Sequence, residues 1–484
     1  MRKTDHGQHS PDIHIAVENF GPIEKAEIDL RPLTVFVGES NTGKTYLSAL
    51  IYALQRTFEG IPRVPWSYYN TSRFDPIYYS QPADLSTQTL LDETQKVLKK
   101  LAVTDQPFKF LDLPTWVRDR LQSGSAHTEV LENELKRCFD FESISELARG
   151  TKSQGEAMEV SFEVREGNQT LWSFGLYNPE SGTHVDKFIN EDIVLNSEDR
   201  DIFRRALDVK DQGIPLRFLM QVSAKSYYLP AARSGIMETR GVITSSLVDL
   251  ATPGGLERFP ESATFSGMIA DFLKQIMSYE EGRLSSDEMS NIAKVLENEV
   301  LRGEVEVRRS AAGYPEFCYR PHKSEQALRM SQSSSMVSEL APLVLFLRGI
   351  VQPGDTLIIE EPEAHLHPAA QTMVALTLAR LVRVGVRVII TTHSDWLLEQ
   401  IGNLVREGEV MKLGKNKTEP VTWLTKEEVG AWWFREDKPV TEIPFDNIEG
   451  IEPKDYYDVA EELHNDAVEF QQHLLNEGEF VDDE

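Results

Sequence analysis

Gly38-Glu39-Ser40-Asn41-Thr42-Gly43-Lys44-Thr45 decides the fold of this chain. The stretch fits G-x-x-x-x-G-K-[ST], a loop that wraps phosphates. Both flanks suit it. Thr34-Val35-Phe36-Val37 is a short β-branched and aromatic run that reads as a buried strand. Tyr46 to Gln55 reads as a helix. Glycines let backbone N–H groups turn inward around phosphate oxygens, and a helix N-terminus adds partial positive charge. On this reading Gly38, Asn41, Thr42 and Gly43 line the phosphates. Lys44 reaches the β- and γ-phosphates, and Thr45 offers its hydroxyl to Mg²⁺. The alternative is a chance glycine loop; the strand and the helix beside it argue against that.

Two further strand ends point to the same chemistry. Thr356-Leu357-Ile358-Ile359 runs into Glu360-Glu361-Pro362-Glu363. Adjacent carboxylates at the end of a buried strand are costly unless a cation or a reaction uses them. Regular alternation would send the two side chains to opposite faces. The chain leaves strand geometry here, so both can face the phosphates. Glu360 then holds Mg²⁺ through water, and Glu361 polarises the attacking water as general base. An acidic surface turn is the plainer alternative. Val388-Ile389-Ile390 is a third apolar run, ending in Thr391-Thr392-His393-Ser394. A lone histidine there is more often structural, but beside the other two motifs His393 reads as a sensor of the γ-phosphate.

The ordered set GESNTGKT, LIIEEPEAHLHP and IITTHSD resembles the ABC-type ATPase heads of the RecF, Rad50 and OLD-nuclease class. Within that class it resembles the AAA_15/AAA_21-type stand-alone ATPases of phage-defence operons. Tyr228 to Gly235 (YLPAARSG) and Ser333 to Leu343 (SSSMVSELAPL) add to the likeness. The resemblance implies an α/β P-loop NTPase fold: an ABC-type head with a mixed sheet flanked by helices, an α+β insertion and an acidic helical C-terminus. It implies ATP and Mg²⁺ as cofactors, and a head-to-head homodimer or higher oligomer. It also implies a signature segment whose serine and helix start contact the γ-phosphate bound by the other subunit. Ser334 and Ser335 match that role, since hydroxyls at a helix start are good phosphate donors. The segment departs from the pattern at Met336, where glycine is usual. Ser335 would equally serve as a plain N-cap for a helix from Val337 to Leu347. Likeness to PARIS- and Septu-type ATPases implies control of a separately encoded effector, a nuclease or toxin, in phage defence.

Glu363-Ala364-His365-Leu366-His367-Pro368 has a His-x-His beside a glutamate, which can bind zinc. The resemblance makes it the loop that crosses to the partner subunit, and a structural or interface role is preferred. Pro368 suits the first turn of the helix that follows.

The chain has 484 residues, 40% hydrophobic and 26% charged, as expected for a globular protein. Two cysteines, Cys138 and Cys318, form no disulfide framework and suit a reducing compartment. Met1 to Asp12 has no apolar signal-like core, and Leu340 to Leu347 is far too short to span a bilayer. A cytoplasmic location without membrane attachment is expected. Net charge is −28, and the stretch from Glu427 to Glu484 holds 19 acidic residues against three basic ones. That tail would repel duplex DNA. Local basic patches remain open near Arg302, Arg308, Arg309, Arg320 and Lys323. Nucleic acid is therefore a partner that charge does not indicate. Tyr456, Val459, Leu463, Ala467, Phe470 and Leu474 form one apolar stripe in the tail. It would cover the head's own core or dock a basic partner.

The motif spacing divides the chain at 12–60, a first part of the head carrying the P-loop; 61–213, an α+β insertion; 214–425, the rest of the head; and 426–484, the acidic helical segment. Ile13 to Leu30 reads as two antiparallel strands. Leu90 to Leu101 and Thr128 to Phe139 read as helices, Val160 to Tyr177 as paired strands, and Glu304 to Tyr319 as a hairpin. No heptad array, C-x-x-C hook or internal repeat is found, so a compact head is expected rather than a long tether. The 91 residues after His393 leave no room for a fused nuclease of the OLD type. A RecF-like DNA-repair head is the nearest rival function. A transporter ATPase is disfavoured by length and by the departure at Met336. A nucleotide-bound scaffold that barely hydrolyses is the third alternative, resting on Met336 and on Glu360, which stands where aspartate is commoner.

Overall fold

The computed structural model describes residues 12–58, 108–109, 111, 125–149, 157–166, 169–178, 184–189, 194–195, 225–239, 265–281, 286–309, 315–413, 422–448, 450–451 and 464–473. The helix read at Leu90 to Leu101 lies outside them. Strands β1 (Asp12–Phe20) and β2 (Ile23–Leu30) form the expected antiparallel hairpin. β3 (Leu33–Gly38) is buried throughout and leads through the glycine loop into α1 (Lys44–Phe58). From Leu47 to Gln55 every residue of α1 is buried, because the helix lies between two sheets. α2 (Ser125–Phe139) packs against it. β4 (Met158–Glu166), β5 (Gln169–Asn178) and β6 (His184–Ile189) extend the opening hairpin into a five-stranded antiparallel sheet, ordered β2-β1-β4-β5-β6.

The chain then supplies β7 (Ser226–Leu229), α3 (Gly267–Met277), α4 (Asp287–Val295) and the hairpin β8 (Gly303–Arg309) with β9 (Pro315–Pro321). After α5 (Ser335–Gly349) come β10 (Thr356–Glu360), α6 (Pro368–Arg383), β11 (Arg387–Thr392) and α7 (Asp395–Lys412). β12 (Val429–Phe434) and β13 (Thr441–Ile443) complete a six-stranded central sheet, ordered β13-β12-β3-β11-β10-β7. Its strands are parallel except β13, which pairs antiparallel at the edge.

Strand alternation divides the interior into two cores. Val35, Val37, Leu357, Ile359, Val388 and Ile390 face the helices α3 to α7. Phe36, Ile358 and Ile389 face α1, α2 and the five-stranded sheet. The fold is therefore mixed α/β, with helices on both faces of the parallel sheet.

Three readings change here. Residues 61–213 read as an insertion, yet β4 pairs with β1 through seven residues, so its strands belong to the same sheet as the opening hairpin. The head read as ending at 425, yet β12 pairs with β3 from Val429–Leu33 to Phe434–Gly38 inside the central sheet. Local acidity hid a run, V-G-A-W-W-F, that is apolar enough to be buried on both faces. Finally, residues 464–473 do form a helix, but all are exposed, Ala467 and Phe470 included. In the described part of the tail the stripe does not cover the head's core. Tyr456, Val459, Leu463 and Leu474 lie outside the described residues.

Candidate active site

Parallel strands open their C-terminal ends on one edge of a sheet, and ligands of such sheets bind there. β3, β11 and β10 are adjacent in that order, so the glycine loop, the histidine turn and the acidic turn converge. The loop has Gly38 at φ 139°, Asn41 at φ 65° and Gly43 at φ 104°. A Cβ on Gly38 would lie 1.9 Å from the carbonyl oxygen of Phe434, and one on Gly43 would lie 2.4 Å from Ile23. Glycine is required at both positions by neighbouring protein as well as by the turn. Thr42 Oγ1 donates to the Glu39 carbonyl at 2.8 Å, closing the loop from within. Lys44 Nζ donates to the carbonyls of Gly38, at 2.9 Å, and of Glu39. The ammonium is thus folded back over its own loop. Burial pushes its pKa down to about 8, opposed by Glu361, Glu39 and Glu363. Thr45 is exposed in the first turn of α1.

The acidic turn is held by neighbours on both sides. Glu360 is buried, and its carboxylate accepts from Tyr228 Oη at 2.8 Å and from the Ala231 N–H at 2.9 Å. Glu361 has φ 42°, a left-handed conformation uncommon outside glycine and asparagine. Its N–H donates to the Thr391 carbonyl at 3.0 Å and faces Thr391 Oγ1 at 3.2 Å. Glu363 is buried and accepts from Thr392 Oγ1 at 2.6 Å and from the His393 N–H at 2.8 Å. Burial raises its pKa. His393 keeps an exposed face; burial of the rest and then the Lys44 cation lower its pKa, while Glu361 opposes them. Lys44, Glu361, Glu363 and His393 therefore stand within one another's electrostatic reach. A cation, a carboxylate and an imidazole beside a glycine loop can hold a polyphosphate and activate a water beside it.

Ser334 and Ser335 are not part of this group. Ser334 is the N-cap of α5, Ser335 its first residue, and both are exposed. Among the described residues no hydrogen bond or ion pair ties either to the glycine loop. Met336 packs on the core. Of the His-x-His segment, His367 caps α6, its Nδ1 accepting from the Ala369 N–H at 3.3 Å, while His365 is exposed at φ 59°. Among the described residues no cluster of three or more His, Cys, Asp or Glu could hold a metal ion.

Two residues without an assigned role prove central. Tyr228 ties Glu360 to Ser48 of α1, its hydroxyl lying 3.1 Å from Ser48 Oγ. Arg233 is buried beneath the acidic turn and ion-paired with Glu339 of α5 at 2.6 Å. The one signal for Arg233 was its setting, a cation among small residues just after a buried strand.

Residues 260–398 match the AAA_15 family, described as an AAA ATPase domain. That span holds α5, the acidic turn and His393, and stops short of the glycine loop. No curated protein matches. Among solved structures the chain is similar to an SmcHead bound to the C-winged helix domain of ScpA, with 13% identity, a TM-score of 0.43, and coverage of 90% of this chain and 97% of that one. It is similar to an Smc head domain with an extended coiled coil bound to the C-terminal domain of ScpA, derived from Pyrococcus furiosus, at 12% identity and TM-score 0.40, covering 94% of this chain and 100% of that one. An SMC head domain from Thermotoga maritima gives 11% identity and TM-score 0.34, covering 90% of this chain and 100% of that one. No helix among the described residues is long and apolar enough to cross a membrane.

Proposed function

We propose that this chain is an ABC-class ATPase that binds and hydrolyses ATP with Mg²⁺ and uses its nucleotide state to control a separate effector protein in phage defence. The observation that carries the catalytic part is the convergence of Lys44, Glu361 and His393 at adjacent ends of a parallel sheet. In this reading Gly38, Asn41, Thr42 and Gly43 present backbone N–H groups to the phosphates, and Lys44 leaves its carbonyl partners to meet them. Thr45 supplies a hydroxyl to Mg²⁺. Glu360 suits a metal-bound water better than the ion itself: each of its oxygens already accepts one hydrogen bond, and each keeps a lone pair. Bound Mg²⁺ would neutralise charge on the transferring phosphoryl group. Glu361 takes the proton of the attacking water, and His393 contacts the γ-phosphate. Ser334 and Ser335, exposed at the start of α5, would complete the site of a second copy, which makes the ATP-bound state a dimer. We read the head as reaching through β13 and the acidic tail, exposed at residues 464–473, as the segment that meets the effector.

The test is hydrolysis and oligomeric state together. The wild-type chain should release phosphate from ATP in a Mg²⁺-dependent way, and Lys44→Met should bind ATP poorly. Glu361→Gln should bind ATP, lose turnover by about a hundredfold or more, and accumulate as a dimer in light scattering. If turnover merely maintains a scaffold, Glu361→Gln and wild type will pull down the same partners in equal yield. Unequal yield of one small protein supports the switch.

A further inference from the structure

We propose that Arg233 is a positioning residue, which fixes the backbone of Glu361 and couples it to the start of α5; the coupling to turnover rests on the hydrolytic reading above. Arg233 is 1% exposed and Glu339 is 0% exposed. One guanidinium reaches three separate pieces of chain. Nη1 donates to the carbonyls of Glu360 and, at 3.1 Å, of Pro230. Nη2 donates to the carbonyl of Glu361 at 2.9 Å and lies 2.6 Å from the Glu339 carboxylate. Nε donates to the Glu339 carbonyl at 3.2 Å. The consecutive carbonyls of the acidic pair are therefore held by the two arms of one rigid fork.

Stability alone does not explain such a group. A buried ion pair is weak as a stabiliser, and apolar side chains of similar volume often serve as well. What the fork does supply is geometry. Glu361 sits at φ 42°, a strained conformation that persists only where its surroundings over-determine it. Thr391 fixes its N–H and Arg233 fixes its carbonyl, so the residue is clamped at both ends. Without the second clamp the backbone relaxes toward negative φ, and the carboxylate turns away from Lys44 and His393. Lysine cannot replace the fork, because the three hydrogens of one ammonium cannot serve the four carbonyls and the carboxylate that Arg233 meets.

The same fork carries a message. Glu339 lies one helical turn beyond Ser335, and both its carbonyl and its carboxylate meet Arg233. Any shift of α5 caused by engagement of its exposed N-terminus is passed through Arg233 to the Glu361 peptide. Glu361 is thereby set by the condition of a surface that does not touch it.

Arg233→Lys is the first test, in the full chain. Expected is a fall in kcat of about a hundredfold with KM for ATP and affinity for ADP within about twofold of wild type, the signature of misplacement rather than lost binding. Glu339→Gln should also lower kcat, and the double variant should be no worse than the worse single one. Hydrogen exchange gives a readout that does not need turnover. The Glu361 amide should exchange faster in both variants, and amides of α1 should not. Wild-type kcat in folded Arg233→Lys, or equal losses of kcat and of ADP affinity, would overturn the proposal. Should Arg233→Lys fail to fold, Glu339→Gln decides by the same criteria. If the wild-type chain hydrolyses nothing, the functional reading falls, and unchanged exchange at Glu361 would sink the positioning role separately.

Discussion

Lys44 carries a pH dependence that follows from where it sits. Its pKa of about 8 lies below the ordinary 10.5 because burial disfavours the cation. Burying the charged ammonium therefore opposes folding below pH 8. That penalty fades as pH rises from the folded value toward the unfolded one. Phosphates reverse the sign, because they favour the charged form and raise the pKa. Nucleotide binding should then take up a proton above pH 8, and affinity should fall by up to about tenfold per pH unit there. Calorimetric titration of ADP in two buffers of different ionisation enthalpy reads the uptake directly. Lys44→Met should bind weakly and without it. An affinity that is flat across pH 8 to 9.5 would show that the lysine never meets the phosphates.

At the scale of elements, the most constrained contact is between the glycine loop and β12. Gly38 is followed by the phosphate turn, yet what forbids a side chain there is the Phe434 carbonyl 1.9 Å from a notional Cβ. Gly38→Ala should destabilise the chain by about 3 kcal/mol or more, because a backbone clash is added to a positive φ. Gly43→Ala should do less harm, since the clash at 2.4 Å is with the Ile23 side chain, which can move. Urea midpoints at unchanged slope will rank the two. The contrast marks what the sequence made legible. Each of the three motifs is a contiguous strand-turn unit with its polar residues at the turn, so the placing of the glycine loop, the acidic pair and His393 could each be read from a dozen residues. β12 could not, because its partners are distant in sequence and its surroundings are acid-rich. Arg233 was hidden for the same reason: its partners are carbonyls of another strand end and a carboxylate on α5, and no local pattern records them.

For the whole molecule, the boundary between the head and the acidic residues after Ile451 gives the sharpest expectation. A chain ending at residue 425 lacks β12 and β13, and should be insoluble or unfolded. A chain ending at Ile451 loses 12 acidic residues and one lysine but no described buried residue. Its melting temperature and ADP affinity should match the full chain within error, while its binding of duplex DNA at low salt should rise as repulsion is removed. Equal melting of both truncations would contradict the sheet order. That order also bears on how the protein is made. β3 is made before both of its neighbours in the sheet, which begin at Arg387 and Val429. The glycine loop hangs from a strand whose partners among the described residues are made only once Arg387–Thr392 and Val429–Phe434 have followed. A fragment released before Val429 would therefore carry the glycine loop on a strand unpaired on that side, so the loop takes its shape only after the far end of the sheet is made.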